Sequence, residues 1–470
     1  MRHGLFGDAE TNRRFSRMQW RMLFATMIGY TLFYFMRKNF SFAMPGLQQD
    51  CGISKSMLGN FLFWGGIVYG LSKFVNGIVG DKVNPRKMFC LGLLACMLVN
   101  VAFGFAPQIA GFMGNGELGT GNGALVWVFG ILLVVNQFFQ GTGFPPCAKL
   151  IAFWIPPKEL ATKMSVWNTS HSIGGGLVAK ICGVIMGLGA VGAANQGVGM
   201  WRWCFWAMAI LGALGLLLML FWLPGTPKDE GLPDLPGTEL KEEVRRKKEE
   251  GGETPNSKLS TPNSQLLTSN SSLHMVFLNP VIWMLGLVNF TINAVRALVA
   301  DWGPTMLQES KGFDPSGTGT VIMLFEFAGI AGMLFAGWAT DRLFGGRAPR
   351  LCVFLMALTA ALLAAFWFLP AGFAGAAALC LGGFCLYGPQ ALTGVTATNL
   401  ATKRFAGTAI GFISLFSYLG VSVAGKVCGS LAQSSGGWRL PVLVMVAVAA
   451  VGAALFACLW RTRAHAYGEE

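Results

Sequence analysis

Twelve long apolar stretches constrain this chain more than any other feature. Six precede residue 224, at about 22–47, 57–80, 88–106, 124–146, 164–189 and 200–223. Six more follow residue 279, at about 280–306, 317–340, 350–369, 374–396, 406–432 and 439–460. Each is close to the roughly 20 apolar residues a helix needs to cross a bilayer. Charged residues make up 12% of the chain, against roughly 25% in soluble proteins, too few to cover a water-facing surface. The pattern excludes a soluble enzyme and a disordered chain. It predicts an all-α membrane protein of twelve transmembrane helices in two six-helix halves.

The divisions follow: a tail at 1–21, an N-terminal half at 22–223, a polar linker at 224–279, a C-terminal half at 280–460 and a tail at 461–470. The linker holds a charge run from Glu242 to Glu250 and then a Ser-, Asn-, Thr- and Pro-rich tract, a composition too polar to pack a core. The eleven cysteines form no C-x-x-C pair, so neither a disulfide framework nor a zinc site is indicated. No G-x-x-x-x-G-K-[ST] occurs. No cofactor and no catalytic constellation are expected.

Lysine and arginine give the orientation. With both termini in the cytoplasm, 25 of the 35 cations lie on the cytoplasmic side, and four, Lys55, Arg202, Lys311 and Arg439, on the other. That asymmetry is the positive-inside bias. It accounts for most of the net charge of +13 without a nucleic-acid partner. The partner it implies is a lipid bilayer.

Six cations remain inside spans: Arg37, Lys38, Lys73, Lys180, Arg296 and Lys426. A charge at bilayer depth costs about 2.5–3.5 kcal/mol on insertion scales. A lysine near a helix end reaches the headgroups with its long stem, which is open to Lys38 and Lys180. Arg37 and Arg296 lie between apolar runs. The intramembrane acids are few, Glu326 and Asp301, so the excess of cations calls for an anion. Tyr30, Tyr34 and Arg37 fall on one helix face, as do Tyr69 with Lys73 and Asn293 with Arg296. Tyr387 and Tyr418 bring the tyrosines within spans to five of six. Their hydroxyls can donate to an anion without adding charge. Arg suits a doubly charged oxyanion, because its planar fork gives two parallel hydrogen bonds. His171 is the one histidine of four within a span. A lone helical histidine is more often a packed core residue than a ligand.

The halves also repeat each other. Gly77 to Asp81-Lys82 and Gly337 to Asp341-Arg342 share the pattern G-x-x-x-D-[RK] at the same point of each half. This resembles the signature loop of the major facilitator superfamily. Further stretches extend the likeness: Gly29 through Tyr34, Arg37 and Lys38 to Pro45; Tyr69 to Phe74; Gln140 to Cys147; Ser165 through His171 to Gly176; Asp301 to Thr305; and Tyr387 to Pro389. Together they resemble the organophosphate:inorganic phosphate antiporters of that superfamily.

The resemblance implies a secondary transporter in the inner membrane. It would exchange inorganic phosphate for a phosphorylated metabolite of the sugar phosphate, glycerol-3-phosphate or phosphoglycerate type by alternating access. It implies a functional monomer with Arg37 and Arg296 gripping phosphate, His171 close by, and Lys73, Tyr30, Tyr34, Tyr69, Tyr387 and Tyr418 lining the site. Lys38, Asp301 and Glu326 would form a closing ion-pair set, and Asp81 and Asp341 the loop gates. Three departures stand out: Asn293 where one member has Tyr, Phe144 in place of Trp, and Lys426 without the acid expected at Ser422. Lys426 is therefore expected to meet a second anionic group on the substrate. Lys180, half a turn from His171 on its helix, would meet Glu326 between the halves. The alternative function is a sensor of a sugar phosphate that signals to a histidine kinase.

Overall fold

The computed structural model describes residue 6 and residues 8–112, 123–191, 199–235, 278–400 and 402–462. The linker's charge run and polar tract lie outside the described residues, as does the side chain of Asp81.

The described residues are helical, with no strand among them. The N-terminal half comprises α1 (Ala9–Cys51), α2 (Lys55–Lys82), α3 (Pro85–Gly104), α4 (Ala106–Phe112), α5 (Gly123–Gln140), α6 (Phe144–Trp154), α7 (Pro157–Val191) and α8 (Trp201–Trp222). The C-terminal half comprises α9 (Pro280–Ala300), α10 (Gly303–Lys311), α11 (Pro315–Leu343), α12 (Ala348–Phe368), α13 (Phe373–Leu400), α14 (Thr402–Ser434) and α15 (Arg439–Cys458).

Among the described residues eleven spans are long and apolar enough to cross a membrane, α5 and α6 together forming one of them. The twelfth expected span lies in α1, which falls short by composition. Arg21 stands on one side of its apolar middle, and Arg37, Lys38 and Asn39 on the other. The helix also begins at Ala9, well inside the stretch read as a tail. Asp8 caps it, accepting from the amides of Glu10 and Thr11, as an N-cap carboxylate does.

Within the N-terminal half α1 packs on α7 and α8. The halves meet along two seams, α2 against α14 and α7 against α11. Small residues set the approach. A Cβ at Gly319 would stand 2.4 Å from the carbonyl oxygen of Ala179, so only glycine lets α11 lie this close to α7. The end bearing the α1–α2 turn is called outer below, after the orientation the cation count predicts. There the halves are tied by the ion pairs Lys38–Asp301 and Lys55–Glu309, the latter at 2.7 Å. The amide of Lys55 donates to Gln433 at 3.1 Å.

At the opposite end the start of the linker folds back on the N-terminal half. Leu232 and Leu235 are buried, Lys228 pairs with buried Asp234 at 2.7 Å, and Arg14 donates to the carbonyl of Glu230.

Candidate functional site

Arg37 is placed by its backbone. Asn136 and Asn100 donate to the carbonyl of Met36 at 2.9 and 3.2 Å, and Gln140 donates to that of Phe33 at 3.0 Å. Three buried amides from α3 and α5 thus hold the turn of α1 that carries the arginine. Its guanidinium carbon lies 4.0 Å from the ring centre of Tyr34 and 4.6 Å from that of Tyr69, a cation–π sandwich. Its Nε is buried without a hydrogen-bond partner. Among the described residues no carboxylate pairs with it.

Arg296 is held differently. Its Nε donates to the Tyr387 hydroxyl at 2.6 Å, and its terminal nitrogen meets Glu326 at 3.1 and 3.3 Å. Tyr387 donates in turn to Glu326 at 2.5 Å. The triad is buried, with Glu326 2% and Tyr387 0% exposed. Gly329 makes room for it, since a Cβ there would stand 2.6 Å from the Tyr387 ring.

A central cavity runs between the two arginines in two lobes. The outer lobe, about 200 Å³, is lined by Arg37, Tyr69, Asn136 and Gln137 and reaches Lys38 and Asp301. The inner lobe, about 280 Å³, is lined by Trp167, His171, Gln390 and Ser414. Tyr30, Tyr34, Lys73, Asn293, Arg296 and Tyr418 line both. Lys73 donates to Tyr418 at 2.6 Å and lies 4.5 Å from the ring centre of Phe144. Phe144, the departure from Trp, is therefore part of the cavity wall. His171 stands beside Tyr34, ring centres 6.0 Å apart.

The charge balance follows from these contacts. Arg37, Lys73 and Arg296 face the cavity with only Glu326 to offset them, while Lys38 and Asp301 neutralise each other. Two positive charges remain, which is the charge of one phosphate dianion with the sign reversed.

The structure brings together most of the residues singled out in the sequence, and it corrects four expectations. Glu326 does not join Lys38 and Asp301; Arg296 takes it. Lys180 does not reach Glu326; it donates to Thr320 at 2.8 Å across the α7–α11 seam. Lys426 does not line the cavity. It is exposed, its ammonium 5.3 Å from the ring centre of Phe63 on α2 and outside the cavity lining. Tyr387 stands behind Arg296 instead of in the cavity wall. Asp341 is exposed near the end of α11. The residues missed are neutral: Asn136, Gln137, Gln390 and Ser417. Their signal was polarity within an apolar span, which a search for charges passes over.

Two helical halves around a cationic cavity define the architecture of a membrane carrier. The chain belongs to the Major Facilitator Superfamily, whose pattern matches residues 26–425. It is 32% identical over 458 residues to the glycerol-3-phosphate transporter of Bacillus subtilis (strain 168), covering 97% of this chain and 95% of that relative. It is 33% identical over 423 residues to the membrane sensor protein UhpC of Escherichia coli (strain K12), covering 88% and 86%. Among solved structures, the D-xylose-proton symporter superposes with a TM-score of 0.70 at 14% identity, covering 96% of this chain and 99% of that one. That likeness is one of fold. The chain is a multi-pass membrane protein of a transporter superfamily, not an enzyme.

Proposed function

We propose that the chain exchanges inorganic phosphate for a phosphorylated metabolite by alternating access. The observation that carries this is the pair of uncompensated positive charges on Arg37 and Lys73 beside the half-neutralised Arg296. A phosphate dianion at this point is gripped by one arginine from each half and by Lys73. His171, Tyr30, Tyr34, Tyr69, Asn293 and Tyr418 complete the site. Tyr387 and Glu326 hold Arg296 from behind.

Compulsory exchange follows from the same charges. An empty carrier passing through an occluded state encloses unpaired positive charge at low dielectric, which is costly. A bound dianion removes that cost. The outer ion pairs Lys38–Asp301 and Lys55–Glu309 form the outer gate, closed here. The expected setting is the inner membrane with both termini cytoplasmic. The test is phosphate self-exchange in liposomes, with Arg37→Lys or Arg296→Lys expected to abolish it. Exchange at the wild-type rate in either variant overturns the two-arginine site.

A second reading has its own support in the 33% identity to a membrane sensor protein: a sugar-phosphate receptor that signals to a histidine kinase. Purified protein that binds an organophosphate but exchanges none in liposomes decides for it.

A further inference from the structure

Each lobe of the cavity has in its wall a glutamine whose amide is not fully used. On the Arg37 side, α5 carries three amides within one turn. Asn136 and Gln140, four residues apart, are spent on the carbonyls of Met36 and Phe33. Gln137 follows Asn136 and lines the outer lobe, and its Oε1 is buried with no hydrogen-bond partner. On the Arg296 side, Gln390 lies one turn beyond Tyr387, which binds Arg296. It lines the inner lobe, and its Oε1 is likewise buried and without a partner.

A buried acceptor left unpaired carries a desolvation penalty, and native structures hold few of them. Two in the walls of one cavity, one in each lobe, form a repeated feature. The missing partner for the oxygen is a donor. A phosphate dianion has at most one proton to give, and the arginines claim its oxygens. A carboxylate has none. A hydroxyl group is the neutral donor that also accepts from the amide nitrogen.

Resting on the exchange reading above, we propose that Gln137 and Gln390 read the organic part of the substrate, and that this part is hydroxylated, without a second acidic group. Gln137 reads it from the outer lobe and Gln390 from the inner lobe. With Lys426 outside the cavity and Lys38 paired with Asp301, the lobes offer no free cation beyond those assigned to the phosphate. That favours a polyol or sugar phosphate over a phosphorylated carboxylic acid.

The experiment compares phosphate esters that differ only in hydroxyl content. Binding of glycerol 3-phosphate, hexose 6-phosphate, ethyl phosphate and 3-phosphoglycerate to the purified full chain is measured by calorimetry. Phosphate self-exchange in liposomes is measured in parallel. The readout is the ratio of affinities within each variant, so a general loss of function cancels. Wild type is expected to favour a hydroxylated ester over ethyl phosphate. Near-isosteric Gln137→Met or Gln390→Met should shrink that ratio by about three- to tenfold, the worth of one neutral hydrogen bond. Gln137→Asn and Gln390→Asn, which retain the amide, serve where a Met variant does not fold. A ratio unchanged in the variants at both positions, or 3-phosphoglycerate as the tightest wild-type ligand, overturns the proposal. Loss of wild-type self-exchange with the binding ratio intact counts against the exchange reading alone.

Discussion

Arg296 and Glu326 form a buried ion pair at 3.1 Å, while Arg37 meets only the rings of Tyr34 and Tyr69. The two arginines are equivalent in position between the halves but not in charge. One is already neutralised from within the protein. On the proposed exchange reading, a bound phosphate would meet a full positive charge on one side and a shared one on the other, and Glu326 would compete with it for Arg296.

That competition predicts the effect of Glu326→Gln. Breaking a buried pair by removing one partner costs about 3–5 kcal/mol, so the ligand-free variant should be less stable. Phosphate should restore it, because the dianion replaces the lost carboxylate. The expected outcome is a lower melting temperature without phosphate and a larger upward shift on adding it than in wild type. An equal shift in both proteins counts against Glu326 as a competitor.

Tyr387→Phe tests the link between them. The hydroxyl is the common partner of Arg296 and Glu326. Without it the pair loses its lateral restraint but not its charge. Phosphate exchange should fall about ten- to a hundredfold, consistent with hydrogen bonds to charged groups worth about 1.5–3 kcal/mol. Melting temperature should fall less than in Glu326→Gln. A variant that melts lower than Glu326→Gln would place the burden on packing instead.

Lys426 supplies a negative prediction. Its ammonium lies over Phe63, away from the cavity lining. Lys426→Ala should leave phosphate exchange within about fivefold of wild type, the upper end of an exposed cation–π contact of about 0.5–1 kcal/mol. Lys73→Ala should lower the apparent phosphate affinity at least tenfold. Similar losses in the two variants would return Lys426 to the site.

The helices were legible because a bilayer demands a fixed length of apolar chain. Much of the site was legible because Tyr30, Tyr34 and Arg37 share a face at helical spacing, and all three line the cavity. Pairing was not. Which partner Glu326 takes depends on the height and rotation of α11 against α9, and one chain's spacing holds no information between helices. Lys180 and Lys426 show the same limit. They occupy similar stretches of α7 and α14, yet one donates to Thr320 across a seam and the other lies exposed over the Phe63 ring. Glutamine was overlooked for another reason. A neutral amide in a span raises less of an energetic alarm than a charge, although an unpaired one is still costly.

The α7–α11 seam gives the last prediction. Gly319 sits where a Cβ would meet the Ala179 carbonyl at 2.4 Å, and a Cβ at Gly183 would meet the Pro315 carbonyl at 2.7 Å. Both obstacles are backbone, which cannot rotate away. Gly319→Leu must therefore push the halves apart at the outer end and weaken the closed outer gate. Ser41 lines the outer lobe and is 2% exposed, so a cysteine there reports access. In a Ser41→Cys background, a membrane-impermeant thiol reagent added outside should label the Gly319→Leu protein at least tenfold faster than the parent. Phosphate exchange should fall in the same variant, because a carrier that does not close outward cannot complete the cycle. Unchanged labelling with unchanged exchange would show that the seam yields without opening the gate, and the glycine contact would then have no part in gating.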